Sequence, residues 1–176
     1  MKISYKLTSE DFLEFNLYTA SKSELTQKKQ KRGMILLFFI IGIMAVYLVA
    51  DKQYETLIYP AILVVIVIFF YKKYFRWRMK KGYQKYIKSV HADQLNKEES
   101  IEIKQKSIAV DNQSGKGSIA LSDVVQLNET THLFMFLLQS GTSIVIPKRE
   151  LKSEDEFIGL IQKLNIKRNE ELDWKW

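Results

Sequence analysis

Two long apolar stretches of this sequence contain no charged residue: residues 33–50, eighteen long, and residues 57–71, fifteen long. They constrain the fold more than any other feature, because a helix apolar on every face must be covered on every face. At about 1.5 Å rise per residue, an eighteen-residue helix covers roughly 27 Å, close to the ~30 Å hydrocarbon thickness of a bilayer. The second stretch is shorter. Lys72 and Lys73 can snorkel toward headgroups at one end of it, and Tyr54 and Glu55 can extend the helix at the other. Tyr71, Tyr74, Phe75 and Trp77 fall where an interfacial aromatic belt belongs. The alternative is a soluble protein with two buried helices, in which about 140 mostly polar residues would have to enclose both.

The net charge of +7 is distributed in support of two membrane spans. Lys28, Lys29, Lys31 and Arg32 precede the first stretch, and Lys72, Lys73, Arg76, Arg78, Lys80, Lys81, Lys85 and Lys88 follow the second, with no Asp or Glu among them. The other fifteen basic residues face twenty acidic ones, so the excess lies wholly in these two flanks. A nucleic-acid protein would spread its cations over a folded face among base-reading residues, so no nucleic-acid partner is expected. The six-residue connector 51–56 carries Asp51, Lys52 and Glu55, enough chain to join two antiparallel helices. By the positive-inside rule the connector faces outward, giving a multi-pass plasma-membrane protein with both termini cytoplasmic. A cleavable leader fits poorly, because about thirty polar residues come first and Ala50-Asp51 offers no small-x-small site. Neither span carries an ionisable residue for a proton or ion path, nor a GxxxG pattern for tight dimer packing. Pro60 falls near the outer end of the second span, where a missing N–H costs nothing. Lys28, Lys29, Lys31, Arg32, Lys72, Lys73, Arg76, Trp77, Arg78, Lys80 and Lys81 are the membrane-interface candidates. Their cations either bind anionic headgroups, at about 1 kcal/mol each near the surface, or only set topology.

The remaining chain reads as α+β. Ile3, Tyr5 and Leu7 alternate with polar residues, the period of a half-buried strand. Thr8 then reads as an N-cap, with Glu10 and Asp11 in the first helical turn. Phe12, Phe15, Tyr18 and Thr19 share one face of a helix that could continue into the first span, as packing residues or as a membrane-surface stripe. Residues 72–95 form a basic juxtamembrane helix, interrupted by Gly82. From Ser100 the period changes to two: Ile101, Ile103, Ile108 and Val110 alternate with polar neighbours, and Asn112-Gln113-Ser114-Gly115 makes a turn. Residues 118–121, 124–128, 133–138 and 143–146 continue as strands, the last ended by Pro147. Ser153-Glu154-Asp155-Glu156 is a capping box, and Phe157, Leu160, Ile161 and Leu164 mark one face of a closing helix. The expected organisation is 1–32 strand and juxtamembrane helix, 33–50 first span, 51–56 external loop, 57–71 second span, 72–95 basic helix, and 96–176 cytoplasmic domain. Residues 3–7 are available to that domain as a seventh strand.

These features resemble the YcxB-like family of bacterial membrane proteins. The carrying residues are Ile3-Ser4-Tyr5-Lys6-Leu7-Thr8, Asp11-Phe12-Leu13-Glu14-Phe15-Asn16, the paired spans, Ile146-Pro147-Lys148-Arg149 and Phe157. The resemblance implies a two-span hairpin and a C-terminal domain like a pleckstrin-homology barrel or sandwich, seven antiparallel strands closed by a helix. It implies no catalytic signature.

The residues themselves offer no enzymatic site. No cysteine is present, which removes disulfide, thiolate and Cys-zinc chemistry. His91 and His132 lack a suitably spaced partner, and Gly115-Lys116-Gly117 lacks the context of a phosphate loop and reads as a hairpin turn. Ser140-Gly141-Thr142 is a turn without a base, and Glu154, Asp155 and Glu156 are accounted for as first-turn residues. No cofactor or metal is expected. The expected function is a membrane-anchored interaction module for a protein or lipid headgroup. Lys148, Arg149 and Lys152 are its contact candidates, against their being a solvated turn. Self-immunity to membrane-active peptides, by architectural analogy, and an accessory subunit of a larger transporter are alternatives. Membrane lipid, a protein partner and further copies of the chain are the partners compatible with this reading.

Overall fold

A computed structural model of the protein describes residues 1–90, 95, 97–112 and 115–176. His91 and Asn96, the start expected for the C-terminal domain, lie outside the described residues, as do Gln113 and Ser114 of the expected turn. The chain forms two compact units, one of residues 1–15 and 84–175 and the other of residues 16–83 with Trp176.

The first unit holds two four-stranded sheets. Strand β1 (Lys2–Lys6) buries Ile3 and Tyr5 and exposes the residues between them, as its alternation requires. It pairs antiparallel with β2 (Glu98–Ile103), which pairs with β3 (Ser107–Asn112), and β3 with β4 (Gly115–Ala120). The second sheet runs in the order β7 (Ser143–Pro147), β6 (Leu133–Leu138), β5 (Val124–Glu129), β8 (Arg168–Glu170). Strand β6 is central, and five of its six residues are buried, the pattern of a strand covered on both faces. Helix α4 (Glu154–Lys163) places Phe157 and Ile161 in the core, the Phe157 ring 4.7 Å from that of Phe134 and 6.1 Å from that of Phe136. Ser153 Oγ caps it by accepting from Glu156 N at 3.2 Å, and Asn165 ends it in the left-handed region at φ 54°.

Several expectations are corrected here. The sheets do not close into a barrel; they are separate four-stranded sheets, and β8 adds an eighth strand parallel to β5. Lys116 and Gly117 are not turn residues. They lie in β4 opposite Asp111 and Val110, next to the pair Asn112–Gly115. Leu121 leaves β4 for a short 3-10 turn.

The second unit is mostly helix. Helix α1 (Ser9–Lys22) starts in the first unit, and it does not run on into the first span. Ser23 breaks the path and caps α2 (Glu24–Ala50) by accepting from Thr26 N. On α1, Leu17, Tyr18 and Ala20 are buried, whereas Thr19, assigned to the same face by periodicity, is exposed. Asp51 ends α2, and Lys52 turns the chain with φ 56°. A 3-10 turn over Tyr54–Leu57 leads into α3 (Ile58–Val90), so the second apolar helix begins at Ile58. Pro60 sits in its first turn, and Gly82 does not interrupt it. Tyr71, Phe75, Met79 and Tyr83 form a half-buried i,i+4 stripe on α3, and Gly33 on α2 leaves room for the Tyr71 hydroxyl. The helices α2 and α3 are long and apolar enough to cross a membrane, and their most apolar windows are each only 6% buried.

Phe157→Ala removes a fully buried ring packed on two others, so it should cost about 3–5 kcal/mol in chemical denaturation of the full chain. Ser153→Ala removes one cap and should cost about 1 kcal/mol.

Candidate functional site

The first unit has a cleft of about 440 Å³ lined by Glu10, Asp11 and Glu14 of α1, Thr131 and His132 of the β5–β6 turn, Lys148 and Arg149 after β7, and Glu154. Its construction starts at Thr8. The Thr8 side chain accepts from Asp11 N at 3.3 Å, and Asp11 Oδ2 accepts from Thr8 N at 2.7 Å and Thr8 Oγ1 at 2.8 Å. This reciprocal cap holds the Asp11 carboxylate at the helix entrance, where Arg149 meets it end-on. Arg149 Nη1 donates to Oδ1 and Nη2 to Oδ2, both at 2.7 Å, and Nη2 donates also to the Lys6 carbonyl at 3.1 Å. Two parallel charge-assisted bonds make this the strong form of an arginine–carboxylate pair.

A second centre lies at Glu129, 2% exposed at the end of β5. Lys148 Nζ donates to its Oε1 and Arg168 Nε to its Oε2, each at 2.6 Å. Lys148 reaches on to Glu154 at 3.4 Å and lies 4.8 Å from the Phe134 ring centroid, while Arg168 reaches Glu170 at 2.9 Å. Thr130 Oγ1 donates to Glu14 Oε1 at 2.6 Å, tying the two centres through α1. Burial pushes the Asp11 and Glu129 carboxyls up. The bonds from Arg149 and Thr8 to the one, and from Arg168 and Lys148 to the other, outweigh burial and hold both below the usual carboxylate range. The Arg149 and Arg168 guanidinium groups are correspondingly raised, chiefly by the same bonds.

Lys148 and Arg149 thus hold internal pairs, Lys148 half-buried and Arg149 exposed, and Lys152 is exposed as well. His132 lines the cleft. Among the described residues, no group of three or more His, Asp or Glu is placed to hold a metal ion. On the helices, Lys28, Lys29, Lys31, Arg32, Lys72, Lys73, Arg76, Trp77, Arg78, Lys80 and Lys81 are all exposed. Lys81 Nζ lies 4.2 Å from the Trp77 ring centroid. Lys28 pairs with Glu24 at 3.1 Å, so one cation of the first flank has an acidic neighbour one turn earlier. Sequence reasoning missed Glu129 and Arg168 altogether. It read Asp11 only as a helix-dipole residue, because the partners of an ion pair share no spacing in sequence.

Replacing Arg149 with Met strands the buried Asp11 charge. It should cost about 2–3 kcal/mol, less than a fully buried pair because Arg149 is 46% exposed, and adding Asp11→Asn should recover part of the loss. The lowered carboxyls set the acid limit. Their contribution is complete above the unfolded carboxylate pKa and is lost as pH falls through the lower folded values, so the unfolding midpoint should drop below about pH 4. A denaturant series from pH 7 to pH 3 checks the sign, and a midpoint rising on acidification would contradict it.

The family model described as YcxB-like protein matches residues 103–164, from the end of β2 through α4. Of the residues that carry the resemblance, Ile146–Arg149 and Phe157 fall inside this segment, and the opening strand, α1 and the apolar helices fall outside it. No curated protein matches the chain. The resemblance to the YcxB-like family therefore holds over residues 103–164, the stretch that builds strands β3 to β7 and the closing helix.

Proposed function

We propose that this is an integral membrane protein in which a two-helix hairpin anchors a non-enzymatic, cytoplasmic binding module. The observation that carries the reading is the exposure of α2 and α3. Their most apolar windows are 6% buried, leaving Ile35, Phe39, Val46, Ile62, Ile66 and Phe69 in solvent unless lipid covers them. Two further observations support it. Basic residues flank the apolar windows on the side away from the connector. The strand before the hairpin pairs with the strand after it, which is compatible with both ends of the hairpin lying on one side of a membrane. The binding role is supported by a unit whose sheets leave edge strands and clefts open while its cleft cations are neutralised internally. The exposed Arg149 and Lys152 are its candidate contacts after β7, beside the half-buried Lys148.

Topology reporters test the anchor. A reporter active only in the cytoplasm should work fused before Met1 or after Trp176, and an exterior-active one only when inserted at Lys52–Gln53. Exterior activity from the Trp176 fusion would overturn the orientation. Binding is tested on the full chain, since a fragment beginning at residue 96 would lack β1.

A further inference from the structure

The unit that carries the sheets has a second cleft, of about 230 Å³, sharing no residue with the ion-pair cleft. It opens beside β1 and β7, edge strands of different sheets that approach each other without joining in one sheet. Phe12 and Phe15 of α1 and Ile144 of β7 line it, all half-buried, together with Val110 of β3. The polar feature is a row across sheet one: Tyr5 of β1 is the direct antiparallel partner of Glu99 of β2, and both line the cleft. Tyr5 is 2% exposed.

The charge is unbalanced. Among the described residues lining this cleft, Glu99 is the one carboxylate, and no Lys, Arg or His faces it. The Tyr5 phenol interacts with Glu99, but a carboxylate has about four acceptor positions and one hydroxyl fills one of them. Glu99 is half-buried, and burial raises its carboxyl against the opposing bond from Tyr5. The cleft therefore lacks a cation with hydrogen-bond donors, and its walls ask for an apolar body. It is smaller than the ~300–1,000 Å³ of drug-sized sites, which limits that body to about one ring or a short chain.

We propose that this cleft binds a small apolar primary amine, its ammonium paired with Glu99 and its ring or alkyl chain held between Phe12, Phe15 and Ile144. The aromatic walls add cation–π attraction to the ion pair. The proposal deepens the reading of this unit as a binding module. It does not depend on membrane topology, so the reporter experiment and this one fail separately.

The test uses the full chain in nanodiscs of neutral phosphatidylcholine, with isotope-labelled Ile methyl groups read by NMR. The probe is benzylamine, with benzyl alcohol as the neutral control of the same size. Benzylamine should shift the Ile144 methyl saturably, and benzyl alcohol should bind about tenfold more weakly or worse. Glu99→Gln should bring the amine down to the level of the alcohol and leave the alcohol unchanged. Equal affinities in the unaltered chain, no saturable shift with either compound, or an amine preference that survives Glu99→Gln would each overturn the proposal. Should that variant lose its methyl dispersion, the amine-to-alcohol ratio in the unaltered chain decides alone.

Discussion

The antiparallel pairing of β1 with β2 is the interaction on which the rest of the structure depends. Five residue pairs, from Lys2–Glu102 to Lys6–Glu98, join the start of the chain to a segment beyond both long helices. The Met1 amino group extends the join by donating to the Ile103 carbonyl at 2.9 Å. Burying Ile3 and Tyr5 against this sheet removes apolar area from water at ~25 cal/mol per Å², and the backbone ladder fixes which residues are buried. Once β1 is seated, Thr8 and Asp11 follow it directly, which brings the first turn of α1 within reach of Arg149.

The two buried carboxylates act as fasteners. Buried ion pairs contribute little net stability compared with well-packed apolar residues, yet breaking one strands a charge at considerable cost. Glu129 accepts from residues following β7 and within β8, so one carboxylate holds two separate chain segments to the end of β5. Asp11 does the same between the α1 cap and the turn after β7. Such groups penalise alternative arrangements more than they reward the native one.

Much of the fold was legible because period and caps are local. The alternation at Ile3–Leu7 and from Ile101 onward, the cap at Ser153, and the uncharged helices correspond to observed elements. What was illegible is non-local or cooperative. Arg168-Asn169-Glu170 has no apolar alternation and is a strand only because β5 offers it an edge. One glycine costs about 1 kcal/mol in a helix, too little for Gly82 to break a helix of 33 residues. Gly115-Lys116-Gly117 looks like turn chemistry, but pairing with Asn112, Asp111 and Val110 overrides it. Arg149 is paired with Asp11, 138 positions away, a partner that no local spacing points to.

The β1–β2 seam also dictates an order of assembly. Its partners are as much as 102 positions apart, as in the Met1–Ile103 bond, so β1 leaves the ribosome long before its neighbour exists. During that interval Ile3 and Tyr5 have no sheet to join. A flexible tether of such length would carry a closure entropy growing as (3/2)RT ln n, but most of the tether here is helical. Helices α2 and α3 reverse direction at Asp51–Gln53, and each folds from local contacts alone. Their formation orders most of the residues that separate β1 from β2. Residues ordered in α2 and α3 no longer add to the loop that separates β1 from β2, so the two strands join at a lower entropy cost than their sequence separation implies.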